Sequence, residues 1–138
     1  MKNISEVLEG VKTIGIGGHV RPDGDCVGSC MALYLYIRTY FPDVDVSVYL
    51  DHPKPIFGHI DHIDDIKTEV EEGREFDLFI TCDVSARDRL AVAGDAFDHA
   101  AKTVCIAPMS LRAISLAASN RWPWAASCKA PISTFVKK

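Results

Sequence analysis

No run of apolar residues in this chain approaches the roughly 18 to 20 that a helix needs to cross a bilayer. Its first residues, Met1-Lys2-Asn3-Ile4-Ser5-Glu6, reach an acidic side chain too early to read as a secretory leader. Neither a membrane nor export is expected, and the cytoplasm is the expected compartment. The five cysteines are odd in number and fall at no disulfide or zinc spacing, so Cys82, inside an apolar run, is expected to pack as a reduced thiol. Residues 1–106 lack a basic patch and the net charge is −4, which argues against a duplex nucleic-acid binder that works by neutralising phosphates. Acidic residues are missing altogether from residues 107–138. All 19 Asp and Glu precede Ala107, while five of the 15 Lys and Arg and both tryptophans, Trp122 and Trp124, follow Ile106.

What is present fits one ordinary globular domain: 138 residues, 48% hydrophobic and 25% charged. Up to Ile106, short apolar runs alternate with amphipathic stretches, which predicts an α/β fold with a mostly parallel sheet and flanking helices. Ile4, Val7, Leu8 and Val11 recur at helical spacing. Residues 13–18 read as a strand, about 26–40 as a helix stopped by Pro42, 44–50 as a strand, 59–66 as a short helix or turn, and 76–82 as a strand buried on both faces. Residues 86–101 read as largely helical with a break near Gly94, and 102–106 as a fourth strand. Right-handed crossovers follow from connections of this length.

Ligands of open parallel sheets bind beyond the carboxyl ends of the strands. Two acidic segments fall there, Gly18-His19-Val20-Arg21-Pro22-Asp23-Gly24-Asp25 after the first strand and Cys82-Asp83-Val84-Ser85 after the third. Pro22 disfavours the helical region for Arg21, and Gly24 permits a tight turn between the aspartates, so the loop can hold several ligating side chains together. One imidazole with several carboxylates suits Mn²⁺ or Mg²⁺, and a pair of such ions supports in-line phosphoryl displacement. The amides opening the next helix, with Gly28-Ser29 in its first turn, offer an anion site at the same place. The bland reading of Asp-Gly-Asp is a solvated turn, with Asp23 or Asp25 capping that helix.

The stretch from Gly18 to Ser29 resembles the first motif of the DHH phosphoesterases: His, two variable residues, Pro-Asp-Gly-Asp, small residues and Gly-Ser. Asp83 in Thr81-Cys82-Asp83-Val84-Ser85 resembles their second. The order of elements is most similar to the branch that degrades short oligoribonucleotides and dephosphorylates 3',5'-bisphosphorylated nucleosides. The resemblance implies that His19 and Asp23 hold one ion, that Asp25 holds another and that Asp83 bridges them, with Asp25 and Asp83 at the catalytic centre. It implies as partner a short RNA or small phosphorylated nucleotide, and leaves a homo-oligomer open. Arg21 and Cys26 stand where the family usually has Asn and Ala. The manganese-dependent inorganic pyrophosphatases have a similar first motif but commonly place Thr where this chain has Gly24.

The resemblance runs to about residue 106. There the family continues into Asp-His-His and later a substrate-binding domain with a glycine-rich motif, whereas this chain reads Ala107-Pro108-Met109. Without those ligands, the ion of Asp25 keeps only two protein carboxylates, so activity of this chain alone is in doubt and a catalytically inactive metal- or nucleotide-binding module is the alternative reading. Residues 107–138 are expected to fold poorly, as a truncation or an altered reading frame would produce. Elsewhere, His59 and His62 read as a solvated turn, His99 as a surface helix residue, and Cys26 and Cys82 as packing; Arg87 and Arg89 read as surface ion-pairing groups, with a phosphate contact as the alternative, and for His52, after a strand at the active edge, a substrate contact is the lesser reading.

Overall fold

The computed structural model describes residues 4–106 and 133–135. The element order is α1 (Ile4–Leu8), β1 (Thr13–Gly17), α2 (Gly24–Tyr40), β2 (Asp45–Tyr49), β3 (Leu78–Cys82), α3 (Gly94–His99), β4 (Lys102–Ile106) and β5 (Ser133–Phe135), with four single 3₁₀ turns between β2 and α3. The strands form one sheet in the order β2-β1-β3-β4-β5. The first four are parallel, and β5 runs antiparallel along β4, pairing Cys105 with Ser133 and Thr103 with Phe135. The fold is the expected α/β class. Apart from β5, the expectations for residues 107–138 lie outside the described residues.

β1 shows how the sequence builds two different faces. Ile14 and Ile16 point to the side covered by α1 and α2, where Val27, Met31, Ile37, Val48, Leu78, Ile80 and Val104 complete the larger core. The alternate residues, Gly15 and Gly17, leave the other face bare, and Phe79, paired with Gly15 across β1 and β3, fills that space. A Cβ on Gly15 would overlap the Phe79 ring, and one on Gly17 would come within 3.0 Å of it. Phe79 in turn meets Phe76 and Phe97 edge to face, with Ala93, Ala96 and Ala100 closing the smaller core. β3 is buried at all five positions, as a central strand covered on both faces must be.

Two segments differ from the sequence reading. Residues 86–101 are a 3₁₀ turn at Arg87–Arg89, another at Ala91–Ala93 and then α3; Gly94 opens that helix instead of breaking a longer one. A side chain at Gly94 would meet the guanidinium of Arg87, which would have to shift to admit it. α2 begins at Gly24, two residues earlier than expected, because Asp23 caps it with its side chain on the Cys26 amide. Gly28 and Ser29 consequently lie in its second turn.

At the opening edge of the sheet, β1 and β3 are clamped together by side chains. Asp77, just before β3, accepts the amides of Lys12 (2.9 Å) and Thr13 (3.2 Å), and the Thr13 hydroxyl accepts the amide of Asp77 (2.9 Å). The Lys12 amide first, with those of Thr13 adding, holds the Asp77 carboxyl below the usual carboxylate range.

Candidate metal centre

The opposite edge is built differently. After Gly17 the chain passes Gly18, where a Cβ would overlap the Cys26 sulfur and press on Leu50, and enters the loop of His19 to Asp23. Arg21 adopts φ 51, the left-handed region that non-glycine residues rarely take. The proline after it excludes the right-handed helical conformation as expected, yet the outcome is left-handed and not extended. The Val20 amide donates to the Arg89 carbonyl at 2.8 Å and the Arg21 amide reaches Asp51 Oδ2 at 3.5 Å, so the loop is tied to the segments after β3 and β2. Asp83, directly after β3, is also left-handed, at φ 57, and its amide donates to the carbonyl of Ile106 at 2.9 Å. Two strained residues flanking one site fit a function that over-rides local preference.

These constraints bring three ligating groups together. His19 Nε2 lies 3.7 Å from Asp23 Oδ1 and 3.5 Å from Asp83 Oδ2, and one donor atom from each of the three lies within 4.8 Å of the others. Bonds of roughly 2.0 to 2.2 Å to one ion place its ligand atoms roughly 3 to 4.3 Å apart, so the cluster needs only a small contraction to hold a divalent cation. His19 is buried, and its Nδ1 lies 2.8 Å from the Val20 carbonyl. Donation from Nδ1–H there leaves the Nε2 lone pair facing the two aspartates, the arrangement a metal-binding imidazole requires.

The electrostatics agree with this. Burial raises the Asp83 carboxyl above the usual range; the nearby His19 opposes the rise, and the charges of Asp23 and Asp25 add to it. Burial also disfavours charge on His19, but the hydrogen bond to Val20 and the neighbouring Cys26, Asp23 and Asp83 outweigh it and lift the imidazole above its ordinary value. Asp23 is held low, first by the Cys26 amide it caps.

Of the four residues singled out from sequence, His19, Asp23 and Asp83 converge and Asp25 does not join them. Asp25 is exposed in the first turn of α2, near enough for its charge to act on Asp83. Cys26, Cys30 and Cys82 are buried as free thiols in the larger core. His59 Nδ1 reaches the Ile56 carbonyl, and His62 joins Arg38 on Asp65, so neither approaches a metal site. Arg87 pairs with Asp95 and Asp98. His52 is exposed beyond β2, with Asp51 on its backbone amide.

Fold and site together define a parallel α/β domain whose strand ends carry an imidazole and carboxylates suited to a divalent ion. Residues 13–107 match the model of the "DHH family, N-terminal domain", and the chain belongs to the DHH family. The fold is similar to the crystal structure of an exopolyphosphatase-related protein from Bacteroides fragilis, with a TM-score of 0.63 and 22% identity over 75% of this chain. This chain spans 33% of that protein's length. No curated protein matches it.

Proposed function

We infer that the chain carries the metal-binding half of a phosphoesterase that hydrolyses short oligoribonucleotides or 3',5'-bisphosphorylated nucleosides. The observation that carries this reading is the convergence of His19 Nε2, Asp23 Oδ1 and Asp83 Oδ2 at the carboxyl ends of β1 and β3. Mn²⁺ or Mg²⁺ bound there would act as a Lewis acid on a phosphoryl oxygen and lower the pKa of a bound water. The chain's own part is to fix the geometry: Val20 orients the imidazole, the α2 cap holds Asp23, and the left-handed turn at Asp83 aims its carboxylate inward. Asp25 is left free of this cluster to serve a second ion alongside Asp83.

A second reading, a metal-binding module without activity, is favoured by the residues that succeed β4. The carbonyl of Ile106 accepts the amide of Asp83, and in sequence Ile106 is followed by Ala107-Pro108-Met109 where the family has Asp-His-His. The two readings separate in one experiment: a ribodinucleotide, a 3',5'-bisphosphorylated nucleoside and inorganic polyphosphate are each incubated with the chain and Mn²⁺. Release of mononucleotide or phosphate from the first two supports the phosphoesterase; turnover of polyphosphate alone overturns the substrate class. Mn²⁺ binding with no turnover of any of them leaves the inactive module, and no Mn²⁺ binding removes both readings.

A further inference from the structure

Helix α2 is apolar on more sides than the sheet covers. No charged residue occurs between Asp25 and Arg38. Its inner face, with Val27, Met31 and Ile37, lies in the larger core, and one flank is held by the turn at Ile63–Asp65, where Tyr34 and Arg38 both donate to Asp65 at 2.8 Å. On the outer face Gly28, Ala32, Tyr36 and Tyr40 recur every four residues and so form one row along the helix. Tyr36 is 37% and Tyr40 67% exposed, two of the three large apolar side chains exposed among the described residues. Their rings lie 4.9 Å apart and Phe41 joins Tyr36 at 6.2 Å, so the row ends in an aromatic cluster. Its other end is the reverse: Ala32 is exposed, and a side chain at Gly28 would meet no atom within 4 Å. Glycine weakens a helix interior, and no neighbour among the described residues excludes a larger residue there.

We propose that this row is the surface through which two copies of the chain pair, α2 antiparallel on α2. Two small residues followed by two large ones at equal spacing are complementary to themselves. A two-fold axis midway between Ala32 and Tyr36 sets Tyr36 of one copy on Ala32 of the other and Tyr40 on Gly28, each ring entering the space that the small residue leaves. Charge favours the same occupant. With a net charge of −4, copies of the chain repel over much of their surface, and on this uncharged row they meet without opposed like charges. A charged partner gains nothing there, whereas a second row of the same kind does. The row is roughly 18 Å long, a footprint that falls short of the roughly 800 Å² per partner of a stable complex, so the pairing is weak and reversible. Asp25 and Asp43 lie beyond its two ends, so antiparallel copies bring carboxylates toward each other there, and salt strengthens the pairing.

The test is sedimentation of the full 138-residue chain over a hundred-fold range, roughly 5 to 500 µM, at low and at moderate salt. The wild type should pass from monomer toward dimer across that range, and more completely at the higher salt. Tyr36→Glu, Tyr40→Glu and Ala32→Glu should each weaken the pairing at least about 10-fold, the scale of losing a central interface contact. All three positions are exposed, so the variants should fold, and circular dichroism with urea unfolding checks this. Ala32→Glu combined with Tyr36→Lys in one chain should recover part of the loss, because each glutamate then faces a lysine of the other copy. A wild type that stays monomeric to the highest concentration overturns the proposal. So does association that survives Tyr36→Glu and Tyr40→Glu, which puts the contact on another surface such as a strand edge, and so does a combined variant that pairs no better than either single one.

Discussion

Strand β3 is bracketed by two aspartates that the same strand turns to opposite uses. Asp77, before it, is satisfied by two backbone amides and the protein lowers its pKa; Asp83, after it, is buried beside other carboxylates and the protein raises its pKa. Asp77 spends its charge on joining β1 to β3, with Thr13 completing the exchange. Asp83 gains little from its surroundings and sits on a left-handed backbone. An aspartate that lowers a fold's energy needs donors within it, whereas one left short of them stays available to a ligand, and that contrast distinguishes two positions six residues apart.

The contrast is sharpest in metal binding. Asp83→Ala and Asp23→Ala should each weaken Mn²⁺ binding at least about 100-fold by calorimetry, beyond the 10- to 100-fold typical of outer-shell changes, while Asp77→Ala leaves it unaltered. Equal loss in all three would erase the distinction between the two edges. Stability should respond in the reverse order. Asp77→Ala leaves the Lys12 and Thr13 amides without their acceptor and should cost about 1 to 3 kcal/mol in urea unfolding, and Thr13→Val, which removes the acceptor for one amide, about 1 kcal/mol. Asp83→Asn should cost nothing measurable without metal, since it relieves repulsion from Asp23 and Asp25.

Acid unfolding refines the comparison further. The folded pKa of Asp77 lies below the unfolded value, so its contribution is complete above the ordinary carboxylate range and disappears as pH falls through the depressed pKa. Glu71 behaves alike: the ammonium of Lys67 first, then the Tyr49 hydroxyl at 2.7 Å, hold it at about 2, so its share is lost between the ordinary glutamate range and about pH 2. Asp77→Asn should therefore flatten the acid limb of a stability–pH curve in part, and adding Glu71→Gln should flatten it further. The smallest effect expected is that of Asp25→Ala, which stands outside the three converging ligands and should change the first Mn²⁺ affinity only a few-fold.

Much of this was legible in the sequence because it is local. The period-two run of β1, the helical face of α2, the unbroken apolar β3 and the His-to-Asp spacing of the first loop each lie within a few residues, and each is found where the pattern put it. What could not be read depends on register between distant segments. Nothing near Thr13 points to Asp77, because their exchange exists only once β1 and β3 align. Arg87 and Arg89 look equivalent in sequence, and only the turn between them sends one to Asp98 and leaves the other against Val20. The reading of 86–101 as largely helical missed the two 3₁₀ turns that precede α3, and β5 comes after a stretch with no strand pattern of its own.

Phe79 resting on Gly15 and Gly17 carries a consequence for how this domain can diverge. The three positions share one volume across two strands, so no one of them is free to change first: a side chain at 15 meets the ring, and a smaller residue at 79 leaves a void over bare backbone. Descendants of this sequence are held to paired exchange, and a lineage with alanine or serine at 15 is expected to carry a branched aliphatic residue at 79, having passed through an intermediate that packs poorly.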